Sequence, residues 1–471
     1  MTLDLNGANS LGEAMFGNAE LGNQRRTSRL VATFDLLRRH PGSTLPNKIA
    51  SPHDLKALYR LMDRPEVTHE AVMTPLRAYT LKNIAACQGR VLLIHDATEL
   101  DYTDRLSLAE QLGQIGSGFG RGYISQHVLA VDPQSHSVLG LMEQILHCRA
   151  EVPKNETLPE HRARPTRESL LWIKGTQHLP HDQRLVDVAD QGADTFEFLE
   201  HEYHSTRTFV IRACKCRVVQ AGHEGLGPKQ YISDYAHGLP ELGRFMMDVQ
   251  SQRNADGSLR TKRVAAEFAV RGGAVLVYPP HAKAGEHGDA PLPLYVVLVT
   301  EVQPPAKEKP VEWMLLTNEP VKTFDDAWRV TSWYECRWIV EEYHKGMKTG
   351  CGIEELQFTA VDRLQPAIAL LSAVALTLLD LRDASRRDDA RTRRATTVVS
   401  HEYVAVLTAW RYGEVRLHVS VHDFYYALAR LGGHQNRTHD NRPGWLVLWR
   451  GWLKLQSMLD GYLAAQRKSC G

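Results

Sequence analysis

The spacing of apolar and polar residues changes character several times along the chain. Over residues 10–85 the apolar positions recur at three and four residues, as in ELGNQRRTSRLVATFDLLRRH and SPHDLKALYRLMDRPEVTHEAV. That recurrence predicts amphipathic helices, and Ser51 stands where an N-cap belongs. From Gly89 the pattern turns to strands. GRVLLIHDATELDY is an apolar run expected to end at Asp96. A Gly-rich loop, GQIGSGFGRG, follows, and YISQHVLAVDPQSHSVLGLMEQILHCRA reads as a hairpin turning at residues 133–135. A helix is expected near Leu170. QRLVDVADQGADTFEFLEHEY predicts a buried strand ending near Asp190 and then a helix, with Asp194 as an acid in its first turn. RTFVIRACKCRV is a further strand.

Strands and helices in this order predict a mixed α/β layer architecture. Residues 216–310 lean toward β and read as an insertion, after which EWMLLTNEPV returns to the core. SWYECRWIVEEYHKGMK, residues 332–348, then predicts a helix, and everything beyond about 370 looks helical. The apolar run Ala367–Leu379 is too short to span a bilayer and reads as a buried helix. The expected division is an N-terminal helical domain at 1–75, an α/β domain at 76–370 and a C-terminal helical domain at 371–471.

Composition narrows the partners. The chain has 471 residues, ample for several domains, and a formal net charge of +1. Any nucleic-acid contact therefore needs local basic patches. Arg25, Arg26, Arg29 and Arg60 on the first helices supply one candidate patch for phosphates, although solvated arginines on a bundle would look the same. Seven cysteines, Cys470 among them, and no secretory signal favour a reducing cytosol. Cys214 and Cys216 lack a second metal-spaced pair.

The chemistry lies in three acids. Asp96 and Asp190 close apolar strands, with Glu99 and Asp101 as alternates to Asp96. Glu341 shares a stripe about 60° wide with Tyr334, Arg337 and Lys348 if residues 332–348 form one helix. Ile339, Val340, Tyr343 and Met347 then form the buried side. Three carboxylates make a hard oxygen site for Mg²⁺ or Mn²⁺, and two such ions can activate water and stabilise the leaving oxygen of a phosphodiester. Arg337 and Lys348 would grip the phosphate, and Tyr334 would donate a hydrogen bond to it. A solvated stripe with Arg337–Glu341 pairing is the plainer alternative. His95 and His344 read as local structural residues.

Asp96 in LLIHDATELDY, Asp190 in DVADQGADTFEFL and the Y-x2-R-x3-E-x6-K spacing at Tyr334, Arg337, Glu341 and Lys348 resemble the DDE transposases of bacterial insertion sequences, in the IS-four group with the YREK signature. The resemblance runs over nearly the whole chain. It implies an RNase H-like core with a β-strand insertion, flanked by an N-terminal helical DNA-binding domain and a C-terminal helical dimerisation domain. It implies two Mg²⁺ or Mn²⁺ ions on Asp96, Asp190 and Glu341. Its partners would be the double-stranded terminal inverted repeats and target DNA, bound by a homodimer assembled on paired ends, in a bacterial cytoplasm at the nucleoid and not at a membrane. Cleavage would pass through a DNA hairpin before the 3′ ends join the target. Trp313 matches the aromatic on which a flipped base stacks, and Arg212 matches a DNA contact. A regulatory relative that binds ends without cutting, and a plain nuclease on the same fold, are the alternatives.

Overall fold

The computed structural model describes residues 10–469, apart from 43, 153–154, 248, 250–251, 254–258, 262–264, 282–285, 306–309 and 438–441. Parts of the 216–310 stretch, and Cys470, lie outside the described residues.

The chain opens with five helices: α1 (Leu11–Phe16), α2 (Gln24–Arg39), α3 (Leu45–Lys48), α4 (Pro52–Met62) and α5 (His69–Ala86). Ser10, Asn23, Ser51 and Thr68 cap α1, α2, α4 and α5, each accepting a hydrogen bond from a first-turn amide. Strands β1 (Val91–Asp101), β2 (Gly113–Gln114), β3 (Arg121–Val131) and β4 (Val138–His147) follow, then α6 (Leu158–Ala163) and α7 (Leu170–Gly175). Next come β5 (Leu185–Ala189), α8 (Phe196–His204), β6 (Thr208–Arg212), β7 (Val218–Ala221), β8 (Leu226–Tyr231), α9 (Ile232–Gly238) and β9 (Glu241–Met247). After them run β10 (Gln252–Arg253), β11 (Leu259–Thr261), β12 (Ala266–Val277), β13 (Leu292–Glu301) and β14 (Glu312–Thr317). The rest is helical: α10 (Phe324–Glu335), α11 (Trp338–Lys345), α12 (Val361–Arg386), α13 (His401–Tyr412), α14 (Val421–Leu431) and α15 (Trp445–Ser469).

The chain forms two compact units. One comprises residues 1–88, 97–150 and 339–471, and the other 89–96 and 151–338. The second unit is built on one sheet in the order β1, β5, β6, β14, β13, β12, β7, β8, with β9 also on β12. β1–β5 and β5–β6 are parallel, whereas the pairs from β14 outward are antiparallel. The strands of the 216–310 stretch thus continue the same sheet through β13 and β14. Side chains from both parts share one core, including Phe198, Phe209, Ile211, Val275, Leu294 and Leu316.

In the first unit the β3–β4 hairpin is as expected, and α12 runs buried past α2, α5, α15 and β4. By length and composition α12 could cross a membrane, but 94% of its most apolar window is buried in protein. It is also longer than the apolar run 367–379, because Val361–Pro366 and Asp380–Arg386 continue the helix. Arg382, fully buried, ion-pairs with Glu342 and Asp383. A Cβ at Gly432 or Gly451 would collide with the backbone of α15 or α14, so glycine lets these two helices touch. On β3, His127 is wholly buried and within hydrogen-bond distance of Ser125, Gln144 and His344. Burial, reinforced by His344 and His69, pushes its pKa well below the usual histidine value.

Two expectations about where elements end need correction. The 332–348 stretch is not one helix. α10 ends at Glu335, a turn closes through Cys336 and Arg337 amides bonded three residues back, and α11 begins at Trp338. A π-helical turn, Gly346–Gly350, then carries Lys348. A single helical wheel therefore does not describe the four residues, and Tyr334 is buried at 4% exposure. Ile339, Val340, Tyr343 and Met347 are buried as expected. Second, β1 does not end at Asp96 but continues to Asp101.

Candidate active site and DNA-binding segment

Asp96 nevertheless marks the end of something. β1 and β5 pair in parallel from Val91↔Leu185 to His95↔Ala189, and the next positions on the two strands are Asp96 and Asp190. Neighbouring strands run about 4.8 Å apart, so the parallel ladder leaves these two acidic residues at adjacent positions where it stops. Asp190 remains extended and caps the short turn Gln191–Ala193, its Oδ1 accepting from the Gly192 amide at 2.8 Å.

Strand alternation puts His95 and Asp187 on the opposite face from these acids. There His95 Nε2 and Asp187 Oδ1 stand 2.6 Å apart, and Arg207 Nε donates to Asp187 Oδ2 at 2.5 Å. Arg207 also pairs with Glu202 at 3.3 Å, and all four residues are buried. Burial pushes the Asp187 carboxyl toward the neutral form, but Arg207 and His95 overcome it and hold its pKa below the usual value. Glu202 goes the other way, raised well above the carboxylate range by burial and by the charge of Asp187. His95 is thus structural, as expected, and pins β1 to β5 directly behind the acid pair.

Arg337 Nη1 lies 3.5 Å from Asp96 Oδ2. Tyr334 packs edge-on against Trp313, with ring centroids 5.2 Å apart. Arg212 donates to the Glu312 carbonyl at 3.2 Å, and its positive charge lies close enough to Tyr334 to favour the phenolate. Burial raises the Tyr334 pKa; Arg337 and Arg212 oppose the rise, and the charge of Asp190 adds to it. Six of the expected site residues, Asp96, Asp190, Arg212, Trp313, Tyr334 and Arg337, therefore belong to the second unit. Glu341 and Lys348 belong to the first. Glu341 is exposed in the first turn of α11, and Lys348 Nζ pairs with Glu354 at 3.2 Å.

Among the described residues no group of three or more His, Cys, Asp and Glu is gathered to hold a metal. Asp96 and Asp190 do fit a hard divalent cation in donor chemistry, as two carboxylates at adjacent register positions. The alternates to Asp96 are occupied locally. Glu99 Oε1 accepts from the Gly116 amide at 2.7 Å and so fixes the Gly-rich loop, while Asp101 accepts from Thr103.

Asp194 is not a first-turn helix acid. Thr195 caps α8, and Asp194, wholly buried, accepts from the Cys214 and Lys215 amides at 2.7 Å and pairs with Arg217. It anchors the loop after β6, a role that only the later Arg217 could have signalled. His344 is largely buried against His127, as a structural residue.

In the N-terminal helices Arg25 and Arg60 are exposed. Arg26 pairs with Glu66 at 2.8 Å and Arg29 with Asp54 at 2.9 Å. These two pairs tie α2 to α4 and to the turn that follows α4. Solvent and salt weaken such exposed pairs, so a DNA phosphate could compete for either arginine.

Comparison with known protein families finds that residues 9–67 match the transposase DNA-binding family. The matched segment takes in α1 to α4. It supports a transposase that binds DNA, and it gives the basic N-terminal helices their partner.

Proposed function

We propose that the protein is a cut-and-paste DNA transposase of the DDE type. Its N-terminal helices would hold the transposon end, its acid site would cleave there through a hairpin intermediate, and the 3′ ends would then join target DNA. The observation that carries this reading is the meeting of Asp96 and Asp190 at the end of one parallel ladder, in a chain whose N-terminus matches transposase DNA-binding domains. Glu341 is assigned as the third carboxylate by the motif spacing. Together these acids would hold Mg²⁺ or Mn²⁺, which when bound activates water and stabilises the leaving oxygen. Arg337 and Lys348 supply positive charge for the scissile strand's phosphates. Tyr334, packed against Trp313, presents a hydroxyl from a rigid ring. Trp313 offers a face to an unstacked base. The working form is a homodimer on two ends.

The test is incubation of purified protein and Mg²⁺ with DNA carrying the element's ends. Nicks, hairpins and blunt ends at the junction are expected, all lost in Asp96→Ala while end binding persists. End binding without metal-dependent cutting by the wild type would replace this reading with a regulatory one. Cutting without preference for ends would replace it with a plain nuclease.

A further inference from the structure

The C-terminal helices hold a cavity that the cutting reaction does not use. Its volume is about 590 Å³, and Arg391, Arg411 and Arg430 line it together with Tyr412, His422 and Tyr426. The arginines come from three separate places: the short turn after α12, the last turn of α13 and the last turn of α14. Asp423 is the one acid in the lining, and Ser420 and His422 already engage it. Arg391 and Arg411 have no carboxylate partner among the described residues, and Arg430 donates to the Gln435 carbonyl at 2.7 Å.

Helix dipoles favour a cation at the ends of α13 and α14. They do not explain Arg391, nor why three guanidinium groups surround one hollow, since like charges drawn together repel unless an anion joins them. The walls are also aromatic. His422 and Tyr426 stack with centroids 4.3 Å apart at 27°, and Tyr412 carries the guanidinium of Arg411 at 5.5 Å from its ring. Guanidinium groups beside flat rings match a ligand with phosphate oxygens at one end and a planar base at the other.

We propose that this cavity binds a nucleotide, with its phosphate on Arg391, Arg411 and Arg430 and its base against the His422–Tyr426 stack. The nucleotide is either free or one residue of a DNA strand. The site is independent of the acid pair, so Asp96→Ala is expected to leave it intact.

The experiment uses the full chain and the double variant Arg391→Ala/Arg411→Ala, both positions being exposed. Fluorescently labelled dATP is titrated by anisotropy, and affinity for an end-carrying duplex is measured across salt concentrations. Binding of labelled dATP by the wild type, weakened tenfold or more in the variant, supports a free nucleotide. No dATP binding, with a salt slope for DNA shallower by about one or more in the variant, supports a DNA strand, since each neutralised phosphate contributes about 0.9 to that slope. Arg411→Gln alone should move the same quantity in the same direction. If neither dATP binding nor the DNA salt slope differs between wild type and variant, the proposal is overturned.

Discussion

The Arg337 guanidinium stands 3.5 Å from the Asp96 carboxylate, so an arginine already neutralises one of the two acids assigned to a divalent cation. A cation arriving at Asp96 must share it with that charge. Arg337→Ala should therefore tighten Mg²⁺ binding in the absence of DNA, by about fivefold, the equivalent of roughly 1 kcal/mol for a partly exposed pair. The same change should weaken retention of the DNA end. Calorimetric Mg²⁺ titration checks the first claim; weaker Mg²⁺ binding by the variant would mean that Arg337 organises the acid and does not compete for it.

The acid pair should be indispensable to cutting and dispensable to end recognition. Asp96→Ala and Asp190→Ala should each lower cleavage on the order of a thousandfold or more, about 4 kcal/mol of transition-state stabilisation. Gel-shift affinity for the end should stay within about twofold, because the matched DNA-binding segment is residues 9–67. A parallel loss of binding would show that the acids maintain the fold.

Behind those acids the buried group of His95, Asp187, Arg207 and Glu202 should be costly to break. Arg207→Ala leaves Asp187 buried without its strongest partner. Removing one member of a buried pair costs about 3–5 kcal/mol. Denaturant unfolding of the variant should show that loss. A change below about 1 kcal/mol would mean that water or His95 compensates.

His127 should make the protein acid-sensitive near neutral pH. Its folded pKa lies well below the ordinary 6.5, because burial and the neighbouring histidines oppose the charged form. As pH falls below about 6.5 the unfolded chain takes up this proton first, so stability declines by up to about 1.4 kcal/mol per pH unit. Urea melts between pH 8 and 5 should show the slope, and His127→Gln should flatten it. Equal slopes in the two proteins would assign the acid sensitivity to other groups.

Much of the order of elements was legible from periodicity. The hairpin, the buried strand before Asp190, the N-terminal helices with the Ser51 cap and the helical character beyond about 370 all follow from the sequence. What escaped depends on contacts between distant residues. Asp96 closes a ladder and not a strand, because β5 stops pairing at Ala189 while β1 continues. The break between α10 and α11 carries no proline or glycine to announce it. Asp194 looked like a helix acid because its partner Arg217 lies 23 residues away. Of the candidate site, the adjacent register of Asp96 and Asp190 and the ion pair of Arg337 with Asp96 emerged in space, whereas Glu341 rests on motif spacing.

The way the first unit is threaded has a consequence for synthesis. Its DNA-binding helices are tied to chain made much later: Lys48 donates to the Cys351 carbonyl, and Gln456 donates to the Arg39 carbonyl. A ribosome adding about 5–20 residues per second reaches Gln456 roughly 20 to 80 s after residue 67. The DNA-binding segment thus emerges long before the helices that complete its packing. A nascent chain stalled ahead of α12 should therefore bind DNA poorly, so the contacts with the later helices delay DNA binding until the chain is nearly complete.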